Sequence, residues 1–397
     1  MKSVYYSIFL FMLCFLTSCQ NDKKIPAANS FLATADTLII STEKQKGGGL
    51  FSLGVTPIAF KNLTESFSND IILSTEIEDI KHSYFDTDLK QKDNFYVIII
   101  KGTKNGEPVF IVDENNNKNL TDDKVRAFKK IAWFSSENLI PCSYSKRVGN
   151  EIVIDSSWLK IGTIYGDLQY GRSDHVSGTF TIDNNSFEIS IAAPRNMSFS
   201  YNIDPQLVLK NDRGNIKDTI THRDKIMLGE FVKLDETYYK FQSITDDGTT
   251  VTLVKENNFT SKKGTQAGMI APEFEVVTTK KDTIRSADLP NTTTLLVNSC
   301  GCSGLEDSVT VFEEIAETYK DLNVFRIDSN IKQTSDVWQI DMENEANKTF
   351  YKIYRKEYCS VICYVIGKNN RILDKFESMD WQSTLPEILA REDASTP

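Results

Sequence analysis

The stretch that decides the fold covers residues 292–319 and reads TTTLLVNSCGCSGLEDSVTVFEEIAETY. Its first part, residues 293–298, is apolar enough to predict a buried strand. Its last part predicts an amphipathic helix, because apolar residues recur at spacings of three and four, namely Leu305, Val309, Phe312, Ala316 and Tyr319. Cys300 and Cys302 lie between the two elements. A thiol at a helix N-terminus is favoured as the reactive thiolate by the helix dipole, so this turn is the first candidate site.

Around this stretch the pattern alternates between strands and helices, which is typical of an α/β domain. Strands are predicted at residues 274–277, 293–298, 323–328, 362–366 and 371–376. Helices are predicted near residues 306–319, 344–354 and 383–390. The predicted domain covers residues 267–397, and residues 257–266 form a polar linker before it.

The region before the linker, residues 36–256, is predicted to be β-rich and sandwich-like, in one or two modules. Short alternating segments recur there, separated by turn residues, as expected of antiparallel sheets. The segments are residues 37–41, 95–100, 109–112, 151–154, 179–182 and 187–191. Residues 238–244 and 250–254 are predicted to form its closing hairpin.

Two further motifs carry a family resemblance. Residues 268–274, GMIAPEF, resemble the entry segment of TlpA-like and peroxiredoxin-like redoxins, which have a thioredoxin fold. Residues 364–372, YVIGKNNRI, resemble the strand-turn-strand hairpin of the same proteins. The resemblance covers about a third of the chain and implies a thioredoxin-like C-terminal domain. It also implies thiol-disulfide exchange on proteins, with Cys302 in the position of the nucleophile.

The chain departs from the family pattern at the active site. Leu305 stands where the family has its resolving cysteine, and Val361 stands where it has a cis-proline. All three histidines, His82, His175 and His222, lie before the predicted domain. A Cys-His catalytic pair within that domain is therefore excluded.

Three interpretations of the cysteines stay open. In the first, Cys302 is the catalytic nucleophile and Cys300, Cys359 or Cys363 is the resolving thiol. In the second, bridges such as Cys302 to Cys359 only staple a non-catalytic, lipid-anchored binding or scaffold protein. In the third, clustered thiolates hold Cu(I) or Zn²⁺. No organic cofactor is expected, and Cys142 has no evident partner.

The first residues resemble a bacterial lipoprotein signal. Lys2 precedes an apolar run over residues 4–16, and Leu16-Thr17-Ser18-Cys19 resembles a lipobox. The resemblance implies a signal peptide at residues 1–18, lipidation of Cys19, for example by palmitate, and a tether at residues 19–35. We therefore expect a membrane partner through the lipid, in the cell envelope at the outer membrane, facing the periplasm or the cell surface.

The charge of the chain argues against nucleic acid as a partner. Its net charge is -10, and no basic face is visible in the sequence.

Residues 113–123, DENNNKNLTDD, space oxygen ligands like the start of a Ca²⁺ loop. Lys118 and Lys124 stand where such a loop needs a glycine and a carboxylate, so a polar turn is favoured.

Overall fold

The computed structural model describes most of the chain after residue 30. The described residues are 31–34, 36–51, 56–57, 72–77, 97–131, 138–148, 150–164, 166–193, 199–211, 220, 222–289, 291–298, 306–327, 338–355 and 361–395.

Strands dominate this part of the chain. The first thirteen are β1 Phe31–Thr34, β2 Thr37–Ser41, β3 Glu43–Lys46, β4 Thr56–Pro57, β5 Ile72–Ile77, β6 Val97–Lys104, β7 Glu107–Val112, β8 Arg126–Ala127, β9 Ile140–Val148, β10 Glu151–Ile164, β11 Asp167–Arg172, β12 Asp174–Ile182 and β13 Asn185–Ala192. The next twelve are β14 Gln206–Asn211, β15 Ile226–Met227, β16 Phe231–Leu234, β17 Thr237–Ile244, β18 Thr250–Glu256, β19 Glu275–Val277, β20 Thr283–Arg285, β21 Thr294–Val297, β22 Asn323–Arg326, β23 Trp338–Gln339, β24 Ile362–Ile366 and β25 Ile372–Glu377. The α-helices are α1 Glu306–Thr318, α2 Lys348–Tyr354 and α3 Trp381–Ser395.

Two antiparallel five-stranded sheets share one apolar core in the β-rich region. Their strand orders are β1-β2-β18-β17-β16 and β15-β14-β13-β12-β3. The first sheet contributes Ile40 and Phe241 to the core, and the second contributes Ile189 and Leu207, all fully buried. This arrangement is compatible with the sandwich-like region that the sequence predicts.

The chain crosses from one of these sheets to the other at Thr42, the single residue between β2 and β3. Gly178 in β12 packs directly against this crossing. A Cβ atom at Gly178 would lie 2.6 Å from the carbonyl oxygen of Ser41, closer than real Cβ contacts. The crossing therefore requires glycine at this position.

A second pair of sheets lies in the sequence between β3 and β12. The strand orders are β5-β6-β7-β8 and β4-β11-β10-β9. Both sheets contribute to another core, in which Ile99 and Leu159 are fully buried. The Tyr144 ring stacks on the Phe199 ring with centroids 4.6 Å apart. The described part of the β-rich region therefore has two main cores.

The C-terminal sheet has the order β23-β22-β21-β24-β25. β21, β22 and β23 are parallel, whereas β24 and β25 are antiparallel to their neighbours. Leu295 and Val297 share a core with α1 and α3 on one face. Leu296 shares a core with α2 on the other face. This is the thioredoxin-like arrangement that the resemblance implies, and it occupies the C-terminal third of the chain.

The segment between the β-rich region and this sheet is packed. Its residues 259–261 form a 3-10 turn, and Phe259 is buried. The Phe259 ring stacks on Tyr238 with centroids 3.7 Å apart. Gln266 exchanges two hydrogen bonds with the backbone of Phe231, at 2.7 and 2.8 Å. The polar residues predicted as a linker are thus held against the β-rich region.

Candidate functional site

The candidate site lies at the end of β21, where the sequence places the cysteine turn. Asn298 follows this strand and is buried. Its Nδ2 donates to the carbonyl oxygen of Tyr354 at 3.2 Å and to that of Ile362 at 2.6 Å. Tyr354 ends α2, and Ile362 begins β24. One side-chain amide therefore joins the end of β21 to both sides of the segment at residues 356–360.

Helix α1 packs on the sheet beside this point. Phe312 and Ile315 are fully buried against β21 and β24. Phe312 belongs to the apolar face that the sequence predicts for this helix, whereas Ile315 is not included in it. The predicted boundaries agree with the structure within one residue. The helix begins at Glu306, directly after residues 299–305, which include Cys300 and Cys302.

A buried guanidinium lies at the same end of the sheet. Arg326 pairs in register with Val297 in the neighbouring parallel strand, and its side chain is only 1% exposed. The guanidinium carbon lies 5.1 Å from the centroid of the Phe312 ring in α1. A positive charge is therefore held between the sheet and α1, one residue from the level of Asn298.

Of the four candidate site cysteines, Cys300, Cys302, Cys359 and Cys363, the structure describes Cys363. It lies in β24 and is fully buried. Its Sγ donates to the carbonyl oxygen of Asn298 at 3.7 Å and contacts that of Val361 at 3.8 Å. Burial raises the pKa of the Cys363 thiol to about 12. Cys363 is therefore adjacent to the candidate site but is held as a neutral thiol.

The other predicted site residues fall outside the described part of the chain. These are Cys300, Cys302, Cys359, the position of the resolving cysteine at Leu305, and the lipidation site Cys19. Val361 is described, and its carbonyl oxygen accepts a hydrogen bond from the backbone N–H of Ser378 at 2.9 Å. The structure thus brings together the flanks of the cysteine segments, which Asn298 joins.

Cys142 lies apart from this site, in β9 of the β-rich region. Its Sγ donates to the carbonyl oxygen of Ser157 at 3.7 Å. Burial raises the pKa of the Cys142 thiol far above its ordinary value. It is a buried free thiol in the structure.

The loop at residues 113–123 satisfies the carboxylate of its first residue, Asp113. The two oxygens of Asp113 accept the backbone N–H groups of Asn117 and Lys118, each at 3.1 Å. The Lys118 ammonium lies 3.9 Å from the same carboxylate. These contacts are those of a polar turn, the interpretation that the sequence favours.

Among the described residues, no three His, Cys, Asp or Glu side chains converge in a way that could hold a metal ion. No helix among the same residues is long and apolar enough to cross a membrane.

Asn298 and Arg326 are the residues that sequence reasoning missed. Each is a polar residue in or just after a run of apolar strand residues, which is a signal of a buried polar role. The partners of such a residue lie far away in sequence, at positions 354 and 362 for Asn298. A sequence pattern cannot supply those contacts.

Comparison with known proteins gives structural likenesses only. No family model matches the chain, and no curated protein matches it. Among solved structures it is similar to the C-terminal domain of a candidate thiol-disulfide oxidoreductase from Bacteroides thetaiotaomicron, at 16% identity and a TM-score of 0.26, covering 32% of this chain and 98% of that one. It is also similar to a domain of a possible thiol-disulfide isomerase from Cytophaga hutchinsonii, at 15% identity and a TM-score of 0.27, covering 33% and 99%.

A third likeness is to the exposed lipoprotein thioredoxin of Streptococcus pneumoniae, at 16% identity and a TM-score of 0.22, covering 29% of this chain and 99% of that one. Sequence identities and TM-scores this low do not indicate a function for this chain. The thioredoxin-like assignment rests on the strand order and on the helices that cover the two faces of the sheet.

Proposed function

We propose that this chain catalyses thiol-disulfide exchange on proteins, with Cys302 as the nucleophile. The observation that carries the proposal is the pair of hydrogen bonds from Asn298. Cys300 and Cys302 follow this residue by two and four positions, and Cys359 precedes its partner Ile362 by three. Chain lengths this short, at most about 3.6 Å per residue, allow thiols from the two segments to meet.

Two local features favour a thiolate. The N-terminus of α1 offers unpaired backbone N–H groups to a preceding cysteine. The buried guanidinium of Arg326 adds a positive charge at the same end of the sheet. Both effects lower the pKa of a nearby thiol and increase the thiolate fraction at neutral pH.

The reaction has two steps. The Cys302 thiolate attacks a substrate disulfide, forms a mixed disulfide and releases one substrate thiolate. A second thiolate then attacks Cys302, releases the other substrate thiolate and leaves an intramolecular disulfide. We assign this resolving role to Cys300 or Cys359, because burial raises the pKa of the Cys363 thiol and keeps it protonated at neutral pH. A dithiol partner must reduce the new disulfide before the next cycle.

The test is reduction of a model disulfide by the reduced chain. Cys302→Ser should abolish exchange, whereas Cys142→Ser, a change at a remote buried thiol, should leave the rate unchanged. Equal rates for the Cys302→Ser variant and the parent would reject the proposal. They would favour the second candidate, a binding or scaffold protein, which the leucine at position 305 and the valine at position 361 support.

Free-thiol counts separate the remaining alternatives. The proposed exchange site should gain two titratable thiols on mild reduction. A structural staple should resist mild reduction, and a thiolate metal site should release Cu(I) or Zn²⁺ when the thiols are alkylated.

We further propose that Cys19 is lipidated and anchors the chain in the cell envelope, at the outer membrane. The lipobox-like sequence at residues 16–19 supports this proposal. Metabolic labelling with an alkyne analogue of palmitate should mark the parent chain and the Cys14→Ser variant. Labelling of Cys19→Ser at the same level would reject the proposal.

A further inference from the structure

A cavity of about 440 Å³ lies in the β-rich region, outside the candidate exchange site. Its lining comes from both sheets of the second core, including Phe110 of β7, Ile140 of β9 and Lys160 of β10. Phe110 and Ile140 are buried and give the cavity an apolar wall. Its volume is within the range of about 300–1,000 Å³ that is usual for small-molecule sites.

The rest of the lining is strongly cationic. Among the described lining residues none is acidic and five are basic, namely Lys124, Arg126, Lys129, Lys130 and Lys160. This local excess of positive charge contrasts with the net charge of -10 for the whole chain. Four of the five residues fall within seven positions of the sequence, yet they do not stand out there as a basic face. The fold adds the fifth from a distant strand.

Ion pairing within the described residues differs among these basic side chains. Arg126 pairs with Glu114. In the described part of the chain, Lys124, Lys129 and Lys130 are exposed at the rim and form no ion pair. Like charges that converge repel one another, by about 1 kcal/mol for a pair at 4 Å in water. An anion bound at the rim would relieve this repulsion.

The geometry points to a small organic anion as the ligand of this cavity, one that carries a carboxylate and an apolar group. The carboxylate would lie among the lysines at the rim, where each ammonium can donate to it. The apolar group would contact Phe110 and Ile140, and its transfer from water would add to the affinity. Neither inorganic phosphate nor a neutral alcohol matches both halves of the lining. This inference does not depend on the thiol chemistry proposed above.

The test uses the full chain and the fluorescent anion 8-anilinonaphthalene-1-sulfonate as the probe. We expect the probe to bind saturably with an increase in fluorescence, and decanoate to displace it. Decanol and inorganic phosphate should compete with an affinity at least about tenfold lower than that of decanoate, which corresponds to about 1.4 kcal/mol. The double variant Lys129→Glu/Lys130→Glu should weaken probe and decanoate binding by about tenfold or more. Phosphate that competes as well as decanoate would overturn the inference in favour of a simple anion site.

The matched control is Lys320→Glu/Lys352→Glu, which makes the same charge change on exposed residues of the C-terminal region. This control variant should change the affinities for the probe and for decanoate by less than about twofold. Equal weakening by the two double variants would show a general charge effect and would overturn the inference. Lys129→Gln/Lys130→Gln provides a milder pair if the glutamate variant does not fold. Unchanged decanoate binding in the Lys129→Gln/Lys130→Gln variant would also overturn the inference.

Discussion

The β-rich region and the C-terminal region each hold distant segments together through a buried polar side chain, which is charged in the first and neutral in the second. In the first, Arg172 and Asp174 form a buried ion pair, and Ser157 and Tyr201 donate to the same carboxylate at 2.6 and 3.0 Å. In the second, the neutral amide of Asn298 joins three segments. The charged cluster is enclosed and suits a stabilising role. The amide lies at the end of β21, two positions before Cys300 in the sequence.

The largest expected effect is in the charged cluster. Asp174→Ala leaves the Arg172 guanidinium buried without its partner and should lower the free energy of unfolding by about 3–5 kcal/mol. Denaturant unfolding followed by fluorescence measures this loss. Asp167→Ala, which removes an exposed carboxylate in β11, is the control and should change stability by less than about 0.5 kcal/mol. Similar losses in the two variants would contradict the role assigned to the cluster.

The next effect is at Asn298. Asn298→Ala removes the donor for the carbonyl oxygens of Tyr354 and Ile362, and should cost about 2–3 kcal/mol of stability. It should also slow disulfide exchange by about tenfold or more, because the flanks of the cysteine segments are no longer joined.

The control for that change is Asn291→Ala, an exposed asparagine before β21, which should leave both quantities unchanged. Exchange at the parent rate in Asn298→Ala would separate the amide from function. The buried amide of Asn298 would then have a structural role only, like the charged cluster of the β-rich region.

The smallest effect is a pH dependence in the loop at residues 113–123. Burial raises the pKa of the Asp123 carboxyl from 3.8 to about 7, and the charge of Asp113 adds to the shift. Between about pH 4 and pH 7 the folded state therefore binds more protons than the unfolded state, and the free energy of unfolding falls as pH rises. Asp123→Asn should stabilise the protein at pH 8, on the order of 1 kcal/mol, and have little effect near pH 4.

Asp122 provides a control of opposite sign. Hydrogen bonds from Asn115 and Asn117 lower the pKa of its carboxyl, so its stabilising contribution is present at neutral pH and is lost in acid. Asp122→Asn should therefore lower the melting temperature slightly at pH 8 and leave it unchanged in acid. Thermal melts at pH 8 and near pH 4, with and without EDTA, measure the melting temperatures of the two variants. Shifts of the same sign at pH 8 would contradict these assignments.

Local periodicity was sufficient to predict many individual elements. The strand at residues 37–41 and the helix at residues 306–319 agree with the structure within one residue. The sheet partners could not be predicted in this way. β2 pairs with β18, more than 200 residues later, while β3 begins two residues after β2 and joins another sheet. Such pairings depend on tertiary packing, which a window of neighbouring residues does not contain.

The candidate site divides in the same way. The position of the cysteines between a strand and a helix is a local pattern, and the sequence contains it. The role of Asn298 depends on contacts with residues 56 and 64 positions away. The basic cavity depends on Lys160 meeting residues 124–130 across two sheets. In both cases the chemistry comes from residues that only the fold brings together.

The most direct test of the central claim is a disulfide map of the chain after reaction with a model disulfide. Differential alkylation and peptide mass spectrometry identify each cysteine as bonded or free. We expect a reducible bond from Cys302 to Cys300 or Cys359, with Cys142 and Cys363 unmodified until the protein is unfolded. A map in which Cys302 remains a free thiol, or in which Cys363 forms the bond, would contradict the account.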